Sequence, residues 1–189
     1  MQETRTDGSD QEFKRWKKIF NKSQKILTGY GSNSVGAGII VRSDDTLIVD
    51  NVIRDPLGRY VAVTGDHDDG RFLIASFYCP SQDNEIKRFI ENDLYKVVRS
   101  LEDNNELPEF IILAGDTNTP FSINDKVGGS NRQKQGAINA FSGLKDRFNL
   151  QDIFRVKHPD LRKFTWECLN PTIIKERIDV IFTSFCMIL

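Results

Sequence analysis

FIILAGDTNTPFS, Phe110 to Ser122, is the stretch from which the fold reading starts. Phe110 to Ala114 is a continuous apolar run with two isoleucines, the composition of a strand buried on both faces. The run breaks at Gly115 into small polar residues, so the carboxyl end of this strand carries the chemistry. Asp116 and Asn118, two apart at the mouth of a buried strand, can both point at one ligand, and Pro120 stiffens the loop that holds them. In open α/β sheets that edge is where ligands bind. The competing reading is that the pair makes only an Asx turn.

Working outward, Val35 to Arg42, Thr46 to Ile53, Arg59 to Thr64 and Arg71 to Tyr78 read as four β segments, and Lys25 to Gly29 as the start of another. Their short connections, Ser43-Asp44-Asp45, Asp55-Pro56-Leu57-Gly58 and Gly65 to Gly70, predict antiparallel hairpins. Asp66-His67-Asp68-Asp69-Gly70 opens like an EF-hand loop, but Phe77 stands where a bidentate Glu is required and strands flank it, so a hairpin turn is the better reading. After Pro80, Ile86, Phe89, Ile90, Leu94, Val97, Val98 and Leu101 recur at helical spacing, with Ser81 or Asp83 as cap. A helix between Tyr78 and Phe110 makes the two flanking strands parallel or separated within one sheet. A second helix presents Ala137, Ile138, Phe141, Leu144 and Phe148 on one face. Leu150 to Arg155 is short and apolar, Phe164 to Glu167 and Arg177 to Thr183 read as strands, and the last carries a single acid, Asp179. Near the start, Ser9 and Glu12 have capping-box spacing before Phe13, Trp16 and Phe20, which predicts a short amphipathic helix.

The 189 residues suffice for one domain with a substantial core. With 26 Lys and Arg against 27 Asp and Glu, no global basic field draws the chain to nucleic acid, so any such contact uses a local patch. Cys79, Cys168 and Cys186 are odd in number and lack C-x-x-C spacing, which supports neither a disulfide framework nor a zinc site and fits an intracellular location, nucleus or cytoplasm. No apolar stretch approaches membrane-spanning length, and Gly128-Gly129-Ser130 lacks the G-K-[ST] ending of a P-loop.

Glu3, Asp116 and Asp179 are carboxylates next to or inside β segments, where a charge is costly without a partner or a metal. A hard cation shared among them would explain all three, and magnesium needs only one or two carboxylates besides waters and phosphate oxygens. Asp116 could then orient or deprotonate a water while Asn118 hydrogen-bonds a phosphate, and Tyr78 offers a phenol to developing charge. Against this, Tyr78 can be a core-edge residue and Asp179 a salt-bridge partner of Arg177.

Several motifs follow one another in a telling order. They are Gln2-Glu3-Thr4, then Asp55 to Gly65 (DPLGRYVAVTG), Phe77-Tyr78-Cys79-Pro80 and Gly115 to Pro120 (GDTNTP). Lys126 to Gln133 (KVGGSNRQ), Leu150 to Pro159 (LQDIFRVKHP), Phe164-Thr165-Trp166 and Arg177-Ile178-Asp179 complete the set. As an ordered set over nearly the whole chain they resemble the endonuclease/exonuclease/phosphatase superfamily, and within it the apurinic-type endonuclease domain of LINE-type retrotransposons. The resemblance implies an α/β fold, a four-layer α/β/β/α sandwich of two mainly antiparallel sheets flanked by helices, with residues 1–189 as one domain. It implies Glu3 as metal ligand for Mg2+ or Mn2+, Tyr78 as the phenol at the phosphate, and Asp116 as the water-activating carboxylate. Asn118 becomes the phosphate and nucleophile positioner, Thr165 a contact to the scissile region, and Asp179 the acid that orients a catalytic histidine.

Measured against that family, the chain lacks the first strand with its Asn and the final strands with their S-D-H element, and Ser81 stands where an Asn is common. The expectation is an incomplete sandwich with exposed apolar surface, and a DNA phosphodiester hydrolase of little activity. DNA, and a reverse transcriptase domain of the parent polyprotein, are the implied partners. A phosphatase or phosphodiesterase of the same superfamily acting on lipid, inositol phosphate or RNA, and a catalytically dead nucleic-acid-binding or scaffolding module, are the alternatives.

Overall fold

The computed structural model describes residues 24–28, 36–42, 46–103, 107–129, 133–169 and 172–184. Its centre is a six-stranded sheet. β1 (Gln24–Thr28) and β2 (Gly38–Arg42) pair with each other. β3 (Ile48–Arg54), β4 (Tyr60–His67), β5 (Gly70–Tyr78), β6 (Phe110–Asp116), β11 (Asp179–Ser184) and β8 (Leu150–Asp152) then form the large sheet in that spatial order. Only β5 and β6 are parallel; the other neighbours in this sheet are antiparallel. A third sheet has the order β7 (Lys126–Val127), β10 (Ile174–Glu176), β9 (Trp166–Cys168). A mixed α/β fold with stacked sheets flanked by helices is therefore what the chain adopts. The amphipathic segment expected after Ser9 lies outside the described residues.

Strand alternation builds two cores on opposite faces of the large sheet. On β5, Leu73, Ala75 and Phe77 face the helices, joined there by Ile111, Leu113, Val180 and Phe182 from β6 and β11. The helical layer comprises α1 (Asp83–Phe89), a π-helical turn (Ile90–Leu94), α2 (Tyr95–Asp103) and α3 (Gln135–Arg147). On the other face Phe72, Val61 and Val63 pack with Ala37, against Ile39 and Val41 of β2. A short helix, α4 (Ile153–Lys157), follows β8.

Several expectations are corrected. The segments at 35–42 and 46–53 do not form a hairpin: β2 pairs with β1 and β3 with β4, because the chain crosses from one sheet to the other between them. The connection at Gly65 to Gly70 shrinks to Asp68 and Asp69, since His67 and Gly70 still pair. Phe110 to Ala114 is closed on one face only, with Ile111 and Leu113 buried and Phe110, Ile112 and Ala114 half-buried. The helix after Pro80 is interrupted by the π turn, and Gln82 occupies its cap position without a side-chain cap. Asp83 caps a different helix: its carboxylate accepts from the Gly136 and Ala137 amides of α3, at 3.3 and 2.7 Å. It thereby satisfies amides that a helix start leaves without partners.

Candidate active site

Register decides the site. Tyr78 on β5 stands opposite Asp116 on β6, and Asp116 stands opposite Asp179 on β11. Three chemically capable residues thus lie in one row across three adjacent strands, with neighbouring strands about 5 Å apart. Their sequence neighbours Phe77 and Val180 belong to the helix-side core, so the row occupies the opposite face. All three are half-buried. Asp179 borders two clefts. One, of about 430 Å³, lies between Gly38 to Ile40 and the sheet at Ile74, Ser76 and Ala114. The other, of about 270 Å³, is lined by Phe154, Lys163, Thr165 and Ile181.

The loop after β6 is held against this row. Asn118 adopts a left-handed backbone, with φ of 49°, which an Asn tolerates better than most residues. Its amide donates to the Asp116 carboxylate at 2.7 Å, its side-chain Nδ2 donates to the Cys79 carbonyl at 2.7 Å, and the Asn118 carbonyl accepts from the Lys134 ammonium at 2.5 Å. The Asx turn weighed as the plain alternative is therefore present, and it orients one oxygen of Asp116 as well. Thr117 ties the loop to the start of β11: its amide and hydroxyl both donate to the Ile178 carbonyl, each at 2.8 Å. The Tyr78 amide donates to the Arg59 carbonyl at 2.8 Å, which joins the site to the β3–β4 turn.

Thr165 stands at the edge of the row. Its hydroxyl accepts from the Ile178 and Asp179 amides, both at 3.1 Å, so it braces the backbone from which Asp179 projects. Glu3 lies outside the described residues. His67 is the last residue of β4, paired with Gly70 at the opposite end of β5 from Tyr78, and His158 is exposed just after α4, with its ring 5.3 Å from that of Phe154. Neither is part of the row. Cys79 is enclosed, and burial, with the charge of Asp116 adding to it, pushes its thiol well above the ordinary value, so it is not a nucleophile.

Two features escaped the sequence reading. The first is Lys134, at the start of α3, which lies in a basic tract with nothing to separate it from a solvated lysine. The second is a buried ionic cluster beneath the β10–β11 junction. Arg177 does not pair with Asp179. Its Nε donates to Asp125 at 2.6 Å and its Nη2 to Asp152 at 2.5 Å, while Arg155 also donates to Asp125. Asp125 takes two further bonds from the Ser122 amide and hydroxyl, at 3.0 and 2.8 Å. The spacing D-I-x-R, Asp152 to Arg155, was the only hint.

As to metal, Asp116 and Asp179 supply hard oxygens of the kind magnesium takes. Among the described residues no group of three or more His, Cys, Asp or Glu is placed to hold an ion.

Neither a protein-family model nor a curated protein sequence matches the chain. Solved structures do match its fold. The 3′ phosphatase NExo from Neisseria, bound to product DNA hairpin, superposes with a TM-score of 0.72 at 18% identity, over 99% of this chain and 76% of that one. An AP endonuclease from Archaeoglobus fulgidus gives 0.70 at 16% identity, over 97% and 74%. The AP endonuclease LMAP from Leishmania major gives 0.69 at 13% identity; there the match covers 87% of this chain and only 62% of the other. The fold is that of the AP endonucleases and of this 3′ phosphatase.

Proposed function

We propose that this chain belongs to the endonuclease/exonuclease/phosphatase superfamily and hydrolyses phosphodiester bonds of DNA. The observation that carries the reading is the row Tyr78, Asp116, Asp179 across three strands, with Asn118 bonded to Asp116. In this reaction Asp116 takes a proton from the attacking water, whose oxygen bonds phosphorus as the P–O bond to the departing sugar oxygen breaks and solvent protonates that oxygen. Asn118 and the Tyr78 phenol hold the phosphate, and Asp179 keeps the far side of the row anionic. Thr165, by gripping the amides that precede Asp179, fixes the backbone at the scissile region. A magnesium or manganese ion, held by Glu3 with the help of the carboxylate row, would neutralise the phosphate charge. Neither histidine stands in the row, so the expected turnover is low.

A local basic patch is available for the DNA backbone. Lys157, Arg162 and Lys163 are exposed in the segment that leads to Thr165, and Lys163 lines the cleft that Asp179 borders. The finer assignment is the nicking domain of a LINE-type retroelement, partnered by a reverse transcriptase. Its support is the ordered motif set, including the K-V-G-G-S loop, in which Gly128 and Gly129 take φ of 71° and 69°. A reverse transcriptase reading frame beside this one in the genome is the expected finding. Likeness to a 3′ phosphatase favours a second reaction at the same site, removal of a phosphate from a DNA 3′ end.

Supercoiled plasmid tests the proposal. Slow nicking is expected with magnesium, abolished by EDTA and lowered about 10²- to 10⁴-fold by Asp116→Asn. Nicking that Asp116→Asn leaves intact, or its complete absence in the unaltered protein at enzyme excess, overturns the catalytic reading.

A further inference from the structure

Next to Asn118 a cavity of about 390 Å³ opens between the loop after β6, the Lys126–Gly128 segment and the start of α3. Asn118, Thr119, Ser122, Lys126, Gln133 and Lys134 line it. Lys126 is paired with Glu176 across 3.0 Å, so these two charges cancel. Lys134 is different. The described residues give its half-buried ammonium the Asn118 carbonyl but no ion pair. Burial lowers its affinity for the proton, while the charges of Glu176, Asp83 and Asp116 work in the other direction. The Thr119 hydroxyl, in a residue only 1% exposed, has no hydrogen-bond partner among the described residues. The Thr119 hydroxyl is sealed from the cavity, so the group left with spare donor capacity on this wall is the Lys134 ammonium. The Ser122 hydroxyl is spent on Asp125, and the first amides of α3 on Asp83, so neither supplies the site. Opposite, Gly128 is left-handed, and a Cβ there would come within 2.2 Å of the Ile173 carbonyl oxygen, so this position is held to glycine.

A surplus positive charge and an exposed amide at Gln133, lining one cavity with the residue that bonds Asp116, suit a tetrahedral anion. We infer that this cavity is a phosphate subsite, with Lys134 as its cation and Gln133 as a hydrogen-bond donor, holding the DNA phosphate next to the one that Asp116 addresses. The inference rests on the functional reading above. Because Lys134 also holds the Asn118 carbonyl, an occupied subsite steadies the left-handed loop. The phosphate comes from an internal backbone position or from a 3′ terminus; the chemistry is shared.

Amide NMR of the full chain, titrated with inorganic phosphate in the absence of metal, reads the subsite directly. Saturable shifts are expected at Thr119, Gly128 and Gln133, weakened roughly tenfold by Lys134→Met, kept by Lys134→Arg and reduced by Gln133→Leu. Should Lys134→Met fail to fold, the last two variants carry the comparison. On duplex DNA, Lys134→Met should make the dependence of log affinity on log salt shallower by about 0.9. Tighter binding of a 3′-phosphate end than of a 3′-hydroxyl end assigns the terminal source, and equal binding the internal one. Shifts that do not saturate, or that ignore Lys134→Met and Gln133→Leu, overturn the subsite even if the protein nicks DNA. Saturable shifts in a protein that never nicks overturn the catalytic reading and leave the subsite standing.

Discussion

Asp125 has no exposed side-chain surface, yet it is charged, and it takes hydrogen bonds from Arg177, Arg155 and Ser122. Removing one partner of such a cluster strands the others, a cost of about 3–5 kcal/mol, whereas the intact pair is worth far less as net stability. Asp125→Ala is therefore expected to lower the unfolding free energy by that order, read as a fall of about 1 M or more in the urea midpoint, and a midpoint close to that of the unaltered protein would refute the arrangement. Burial pushes the Asp125 carboxyl up, but its bonds to Arg177, Arg155 and Ser122 outweigh burial and hold it below the ordinary value of 3.8. A folded-state value below the unfolded one adds stability that is complete above pH 3.8 and disappears as pH falls through the folded value. Urea midpoints measured from neutral pH downward should therefore hold until the region of that ordinary value and then decline, and Asp125→Asn should flatten this decline.

At the scale of the element, β6 owes its position to a glycine. Gly115 stands opposite Phe77 in the parallel pairing, and a Cβ at Gly115 would lie 2.1 Å from the Phe77 carbonyl oxygen and 2.8 Å from its carbon. Both obstacles are backbone, so relief requires β5 and β6 to part. Gly115→Ala should cost about 1–3 kcal/mol or more and also displace Asp116 from Tyr78. Thermal unfolding and plasmid nicking should fall together; an unshifted melting midpoint would show that the strands do not approach so closely. The start of α3 follows the same logic of distant supply. Its first amides are met by Asp83, so that helix is seated by a side chain more than fifty positions earlier in the chain.

For the whole molecule, Phe141 of α3 is the junction. Its ring lies 6.2 Å from Phe77 on β5, 5.8 Å from Phe182 on β11 and 5.1 Å from Phe121 in the loop that begins at the chemical rim. One buried side chain thus binds helical layer, sheet and site loop. Phe141→Ala is expected to cost about 3–5 kcal/mol and to loosen the Asn118 loop along with the fold. Denaturant unfolding with an unchanged slope would show a loss of stability without a change of fold; a cost near zero would remove Phe141 from this role. On the opposite face the cover is thinner. Ile181 on β11 is 49% exposed there.

Much of this was legible in the chain itself. The 3–4 spacing from Ile86 to Leu101 marked residues that are indeed buried, and the apolar run ending at Gly115 marked the strand whose carboxyl end meets Tyr78 and Asp179. Those readings work because side-chain direction repeats with a local period, and solvent sorts the residues accordingly. The tertiary structure alone decided that β2 leaves β3 for another sheet and that Asp83 caps α3 instead of its own helix. It alone decided that Arg177 turns to Asp125 and Asp152, and that Lys134 stands behind Asn118. Each of these is a bond between groups far apart in sequence. Which partner a buried charge or an orphaned amide finds depends on where the folded chain brings a complementary group, and no local periodicity encodes that path.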